Sequence, residues 1–171
     1  MNFKTIEGIK KLILHRIDDF EILEPNRFGG EPLLDMDIIK EMMGYALTLK
    51  RDHNFVLYST VTTNGSLLTI KNFKIPEKLN INKYVISFDG DHKEHNKLRI
   101  TRNATPTFDI IYNNILNFHK SVINAKIQLS LHLNKYNYNS MLSFINRISK
   151  DLNDNSRFTI FIRELSRLGE K

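Results

Sequence analysis

Residues 109–133, DIIYNNILNFHKSVINAKIQLSLHL, decide the fold class because their hydrophobic period changes once along the stretch. From Asp109 to Val122 the apolar residues recur at helical spacing, whereas from Ala125 to Leu133 apolar and polar residues alternate strictly, which is typical of a strand. A helix followed directly by a strand is the repeating unit of α/β proteins. The predicted buried face of the helix comprises Ile111, Ile115, Phe118 and Val122.

The same alternation of helix and strand continues in both directions from this stretch. Helices are predicted at 3–17, about 38–50 and 139–152, and strands at 20–23, 55–62, 84–88 and 157–162. Turns are predicted at Pro25-Asn26 and Asn64-Gly65, irregular chain at 71–83 around Pro76, and a polar loop over 91–107. Such alternation predicts parallel βαβ units, and therefore either an open doubly wound sheet or a barrel. Five strands are too few for a closed eight-stranded barrel.

Length and composition predict one ordinary folded domain spanning residues 1–171. Hydrophobic residues make up 41% of the chain and charged residues 26%, which excludes wholesale disorder. No apolar run is long enough to span a membrane and no secretory signal is visible at the N-terminus, so a cytoplasmic location is expected. The net charge of +6 is scattered along the chain, which favours a solvated basic surface over a nucleic-acid site.

The chain contains no cysteine. This absence excludes disulfides, thiolate-ligated zinc, a catalytic cysteine and any cysteine-ligated cluster held by this chain.

Three polar loops follow predicted strands. Ligands of parallel sheets bind at the carboxyl ends of the strands, so these loops are expected to meet at one rim. The loops are residues 29–32 (Gly-Gly-Glu-Pro), 63–65 (Thr-Asn-Gly) and 87–90 (Ser-Phe-Asp-Gly). Gly29 and Gly30 would let the backbone approach a ligand, and Glu31 would accept hydrogen bonds from an ammonium group. The ordinary alternative is a tight turn with a solvated glutamate.

Ser87 and Arg99 form a second candidate site, because a guanidinium near a serine at the end of a strand would hold a carboxylate. The alternative is a surface arginine. On the last alternating strand, Gln128, Ser130 and His132 would line a barrel interior or form an outward-facing polar edge.

Four residues of the 89–95 segment suggest a different α/β enzyme with a bound metal. Asp and His are suitable ligands for zinc or a similar divalent ion. The spacing is not specific, and a plain polar loop with His95 facing a pocket is favoured. The four residues are Asp89, Asp91, His92 and His95.

Taken in order, several segments resemble the radical S-adenosylmethionine (SAM) superfamily, in particular the sulfatase-maturase and peptide-modifying enzymes that carry a cysteine-rich C-terminal extension (SPASM type). The matching segments are 28–34 (FGGEPLL), 63–65 (TNG), 86–90 (ISFDG), 95–99 (HNKLR), 107–109 (TFD), 113–115 (NNI) and 162–169 (IRELSRLG). The resemblance implies a partial barrel of six βα units. Five strands are expected here and the first is expected to be missing, so that strand 20–23 becomes an unpaired edge.

The resemblance also implies a cofactor site. Gly29, Gly30 and Glu31 would bind the amino group of the methionine part of SAM. Arg99 would face its carboxylate, and Ser87 would contact the cofactor near the ribose or carboxylate. No role is implied for Gln128, Ser130 or His132.

In such enzymes a 4Fe–4S cluster reduces SAM and releases a 5′-deoxyadenosyl radical that modifies a peptide or protein. The CxxxCxxC loop that holds the cluster has no counterpart here, so the chain is expected to be inactive alone. Three functional hypotheses therefore stay open: a truncated or split enzyme that needs a complementing chain, a non-catalytic domain that binds SAM or a peptide, and the metal-dependent alternative.

Overall fold

The computed structural model describes residues 2–27, 29–101, 103–153 and 155–164, and for residues 74–77 the backbone alone. Phe28 of the first matching segment and residues 165–169 of the last one lie outside the described residues.

Helices and strands alternate along the described chain. The strands are β1 (Ile22–Leu23), β2 (Asn26–Arg27), β3 (Val56–Leu57), β4 (Thr60–Thr63), β5 (Lys83–Phe88), β6 (Lys126–Leu133) and β7 (Phe158–Glu164). The α-helices are α1 (Phe3–His15), α2 (Met36–Asp52), α3 (Ile70–Lys78), α4 (His92–Leu98), α5 (Phe108–His119) and α6 (Tyr138–Leu152), and short 3-10 turns occupy Ile17–Asp19 and Pro32–Asp35. None of the helices in the described part combines the length and apolar character needed to cross a membrane.

The main sheet is parallel and has five strands in the order β2-β4-β5-β6-β7. This order follows the chain without reversal, which excludes the doubly wound alternative and confirms the predicted partial barrel. The short strands β1 and β3 pair with each other just before β2 and β4 begin. The hydroxyl of Ser59 donates to the carbonyl of Pro25 at 3.1 Å. This hydrogen bond links the two segments of the chain where strand pairing is interrupted between β1/β3 and β2/β4.

Only one face of the sheet is covered by helices. On β5 the side chains of Tyr84, Ile86 and Phe88 are at most 1% exposed, whereas Val85 and Ser87 on the opposite face are half-buried. The phenyl ring of Phe88 packs against other aromatic rings of the core, which come from α5 and α6. The uncovered face is therefore the concave side of a half-barrel, open to a ligand.

Two segments predicted as irregular are helices. Residues 70–78 form α3 despite Pro76, because Phe73 anchors the helix by packing on Tyr84 and Phe118 at ring distances of 5.0 and 4.6 Å. Residues 92–98 form α4, because the carboxylate of Asp91 accepts the first free N–H groups of the helix. Capping and tertiary packing outweigh weak local patterns at both places.

Two local predictions in other segments were also wrong. The chain does not turn at Pro25-Asn26, because Asn26 continues into β2 and pairs in register with Thr60. Val122 is fully exposed, because α5 ends at His119 and helical spacing no longer applies beyond it. Ile123 fills the core at this place instead.

Replacing Gly90 by alanine is expected to destabilise the fold by about 1–3 kcal/mol. Gly90 has a φ of 132°, and an added Cβ would lie 2.6 Å from the Oγ atom of Ser140. The matched control is Gly44→Ala inside α2, where a Cβ meets nothing within 4 Å, and which should raise stability by about 0.5–1 kcal/mol. Urea unfolding of both variants measures the difference, and equal effects would contradict the strain at Gly90.

Candidate functional site at the carboxyl rim

The loop after β2 and the loop after β4 are joined by the carboxylate of Glu31. Its Oε1 atom accepts the hydroxyl of Thr63 at 2.7 Å and the N–H of Leu33 at 3.1 Å, and its Oε2 atom accepts the N–H of Asn64 at 2.8 Å. Glu31 is thus fixed between two strand ends and also caps the turn that leads into α2. Sequence reasoning offered Glu31 as a ligand or as a solvated glutamate in a tight turn, and missed its hydrogen bonds to both loops.

Glu31 still has hydrogen-bonding capacity after these contacts. A carboxylate oxygen accepts about two hydrogen bonds, and Oε2 accepts only one in the described structure. Gly29 and Gly30 beside it have φ values of 97° and 50°, and a Cβ on either would meet nothing within 4 Å. The backbone here is therefore open to the approach of a ligand.

The loop at Thr63–Gly65 is held from the helical side. The side-chain amide of Asn114 on α5 donates to the carbonyls of Gly65 at 3.0 Å and Ser66 at 3.1 Å. Gly65 has a φ of 84°, and a Cβ would lie 2.9 Å from a methyl group of Ile111. The position of the N–H group that binds Glu31 is therefore set by the packing of α5.

A second polar cluster lies at the ends of β5 and β6. Asp89 is 6% exposed, and its carboxylate accepts the Nε–H of Arg99 and the Nδ1–H of His132, the latter at 2.9 Å. Asn137 donates to the backbone carbonyls of Asp89 and His132 at 3.0 and 2.7 Å. Although burial opposes ionisation, the hydrogen bonds from His132 and Arg99 lower the pKa of Asp89 to about 2.

Because Asp89 is ionised, it fixes the tautomer of His132. An ionised carboxylate only accepts hydrogen bonds, so the Nδ1 atom of His132 carries the proton and, in the neutral ring, Nε2 has a free lone pair. No residue of the described chain forms a hydrogen bond with Nε2 of His132. The ring is 17% exposed, on the same face of β6 as Ser130. His132 is thus oriented as a proton acceptor toward the concave face.

The residues of the predicted carboxylate clamp occupy separate positions on this rim. Ser87 lies on the open face in register with Ser130, and its hydroxyl makes no hydrogen bond within the described residues. Arg99 binds Asp89, two residues beyond Ser87, so the charge of its guanidinium is already balanced. The role of both residues toward SAM stays a prediction.

The four residues of the metal hypothesis do not converge. Asp91 caps α4, His92 contacts the carboxylate of Asp109 at 3.1 Å, and Asp89 is bound to Arg99 and His132. Within the ranges that the structure describes, no group of three or more His, Asp or Glu side chains is arranged to hold a metal ion.

His95 is a buried structural residue between two phenyl rings. The hydroxyl of Thr107 donates to the carbonyl of Arg99 at 2.8 Å, so it must accept the Nε2–H of His95 at 3.2 Å. Burial, followed by the positive charge of Arg99, lowers the pKa of His95 to about 4. Neutral His95 thereby fixes the backbone that carries Arg99.

Solved structures of two proteins share this fold over nearly the whole chain. anSMEcpe with bound AdoMet (SAM) and the Kp18Cys peptide has a TM-score of 0.75 and 20% identity, and covers 100% of this chain and 45% of its own. Streptococcus suis SuiB bound to SAM has a TM-score of 0.65 and 17% identity, and the match covers 96% of this chain and 34% of SuiB. SuiB bound to the precursor peptide SuiA has a TM-score of 0.62 and 19% identity, covering 92% and 32%.

These matches confirm the fold that the resemblance to radical SAM sulfatase maturases and peptide-modifying enzymes predicts. The chain spans less than half the length of either protein. No protein-family model and no curated protein sequence matches the chain.

The stability of the protein is expected to fall as the pH is lowered from 6.5 to 4. Over this range unfolded His95 binds a proton and folded His95 does not, so protonation favours unfolding, by up to about 3 kcal/mol at pH 4. Asp89, with its lowered pKa, contributes to acid unfolding only below about pH 4.

The variant His95→Gln keeps a donor for Thr107 but does not titrate in this range. Urea unfolding at pH 7, 5.5 and 4.5 should therefore give a shallower decline for the variant than for the unmodified chain. Parallel declines in the two proteins would contradict the assignment of a low pKa to His95.

Proposed function

We propose that this domain binds S-adenosylmethionine at the carboxyl rim of its sheet and holds a peptide against its concave face. The proposal rests chiefly on Glu31, an acceptor fixed between two strand-end loops beside an open glycine backbone. Solved proteins with the same fold hold AdoMet or SAM and peptides.

The residues at the rim fit the methionine part of SAM. Its ammonium group would donate to the free lone pair on Oε2 of Glu31, a charge-assisted hydrogen bond. Its carboxylate would be reached by the unpaired hydroxyl of Ser87 and by Nη1 of Arg99, since Nε of Arg99 is already bound to Asp89. Glu31 is therefore the main anchor in this proposal and Arg99 a weaker one.

The chain does not fit an iron–sulfur cluster. Cysteine thiolates are the usual ligands of such clusters, and the sequence contains none. The residues of this chain would therefore contribute binding and proton transfer.

The concave face suits a polar or mixed peptide. On β6 the side chains of Gln128 and His132 are partly exposed and Ser130 between them is buried, and in register with Ser130 the residue Phe161 on β7 is 47% exposed. A peptide here would find hydrogen-bonding groups, one aromatic surface and, at Nε2 of His132, an acceptor for a proton released from a side chain. Asp89 would stabilise the imidazolium that results.

Calorimetric titration tests the SAM site with two ligands. Glu31→Gln should weaken SAM binding by about 10–100-fold, because it removes a charge-assisted hydrogen bond worth about 1.5–3 kcal/mol. 5′-Methylthioadenosine lacks the amino-acid part, so the variant should bind it as the unmodified chain does. Glu21→Gln, which changes an exposed glutamate before β1, is the matched control and should leave both affinities unchanged.

Two outcomes would contradict the proposal. Absence of saturable SAM binding by the unmodified chain would remove the function. An equal loss of affinity for SAM and for 5′-methylthioadenosine in Glu31→Gln would show that Glu31 only supports the loops, through Thr63 and Asn64, and does not contact the ammonium group.

A further inference from the structure

A half-buried arginine, Arg27, reaches into a mainly apolar cavity at the edge of the sheet, away from the concave face. The cavity of about 410 Å³ opens to solvent and lies between α1, α2 and β2, and its apolar walls include Ile9, Ile13, Ile38 and Met42. Arg27 enters it from β2, in register with the fully buried Val61, and therefore points to the helix-covered side.

The guanidinium of Arg27 has no counter-group among the described residues. Its Nε and Nη2 atoms are inaccessible to solvent and make no hydrogen bond there. Asp35 also lines the cavity, but no ion pair joins it to Arg27. Burial lowers the pKa of Arg27 and leaves a cation that is costly to keep unpaired.

A second arginine shows how this chain satisfies a guanidinium. Nη1 of Arg157 donates to the carbonyls of Ser121 and Ile123, both at 2.9 Å, and Nη2 donates to that of His119 at 2.7 Å. The guanidinium of Arg157 therefore has hydrogen-bond acceptors for both of its Nη atoms, whereas the Nε and Nη2 atoms of Arg27 have no acceptor among the described residues.

The backbone beside the cavity is also unpaired. β2 ends the sheet, and no strand in the described part of the chain pairs with its outer edge. Such an edge accepts an added strand through main-chain hydrogen bonds, with alternate side chains entering pockets on one face. A small carboxylate would satisfy Arg27 alone, whereas an extended polypeptide would satisfy both the guanidinium and the edge.

We infer that the outer edge of β2 and the Arg27 cavity receive an extended segment of a partner polypeptide that carries a carboxylate among apolar side chains. The carboxylate binds the guanidinium of Arg27, and neighbouring apolar side chains of the segment fill the space against α1 and α2. This inference does not rest on SAM binding, because its two contacts, the guanidinium of Arg27 and the outer edge of β2, involve none of the residues assigned to the cofactor, although Gly29 also lines the cavity.

The free chain gives the first test, through its thermal midpoint. Arg27→Met should raise the midpoint by about 2–4 °C for each kcal/mol released, because it replaces a half-buried cation, whose Nε and Nη2 atoms are inaccessible and unpaired, by an apolar side chain of similar length. Arg157→Met should lower the midpoint, because it breaks satisfied hydrogen bonds. An unchanged or lower midpoint for Arg27→Met would show that the guanidinium is already satisfied, and would overturn the inference.

A phage-displayed library of random seven-residue peptides gives the second test. Panning on the unmodified chain, with counter-selection on Arg27→Met, should enrich alternating apolar sequences that contain one Asp or Glu. Changing that acid to its amide in a synthetic peptide should weaken binding at least tenfold on the unmodified chain and have little effect on Arg27→Met.

Three outcomes would overturn the inference. These are no enrichment, enriched peptides without an acid, and equal binding of the acid and the amide. Octanoate and octanol test whether the occupant is instead a small amphiphilic carboxylate, since octanol has the same chain without the carboxylate. Arg27-dependent binding of octanoate but not octanol, without any enriched peptide, would identify such a molecule in place of a polypeptide. The SAM site is tested with Glu31→Gln and the peptide site with Arg27→Met. Failure of one proposal can therefore be distinguished from failure of the other.

Discussion

The sequential order of the parallel strands is the constraint on which the rest of the structure depends. Each strand of the main sheet, in the order β2, β4, β5, β6 and β7, is added to the same side of its predecessor, and the core is buried on one face of the sheet only. This order places every carboxyl end at one rim and leaves the concave face open. It explains why loops distant in sequence meet, and why a polar residue such as Gln128 occupies a central strand.

Two charged side chains that are wholly or partly buried, Asp89 and Arg27, differ in how their charge is satisfied. Asp89 is ionised because Arg99 and His132 donate to it, and the cluster orients an imidazole toward the open face. Arg27 is half-buried and has no such partner in the described residues, although its Nε and Nη2 atoms are inaccessible to solvent. A satisfied buried charge organises its own chain, whereas an unsatisfied one indicates that a group is still to be bound.

Sequence patterns were sufficient where one local signal was strong. Strict alternation predicted β6, and the strand ended at Phe88 by Asp89-Gly90 was found within one residue. The loops after β2 and β4 were correctly expected to meet, since carboxyl ends of parallel strands share a rim. Helices α3 and α4 were missed, because Pro76 and a shortage of apolar residues hid stabilisation supplied by packing and capping.

The candidate site was only partly visible in the sequence, for a different reason. Glu31 was predicted from its place in a glycine loop, but the pairing of Asp89 with His132 joins residues 43 positions apart and depends on the register of β5 and β6. The unpaired state of Arg27 is likewise a tertiary property. Neither spacing nor composition records which buried charges find partners.

The central claim, that SAM binds at the rim, is tested most directly by amide NMR of the ¹⁵N-labelled chain during titration with SAM. SAM binding at the rim should give the largest shift changes on Gly29, Gly30, Asn64 and Ser87, with little change on the amides of Ile9, Ile13 and Met42 on the helix side of the Arg27 cavity. Shift changes confined to the helix-covered side, or none at saturating SAM, would contradict it.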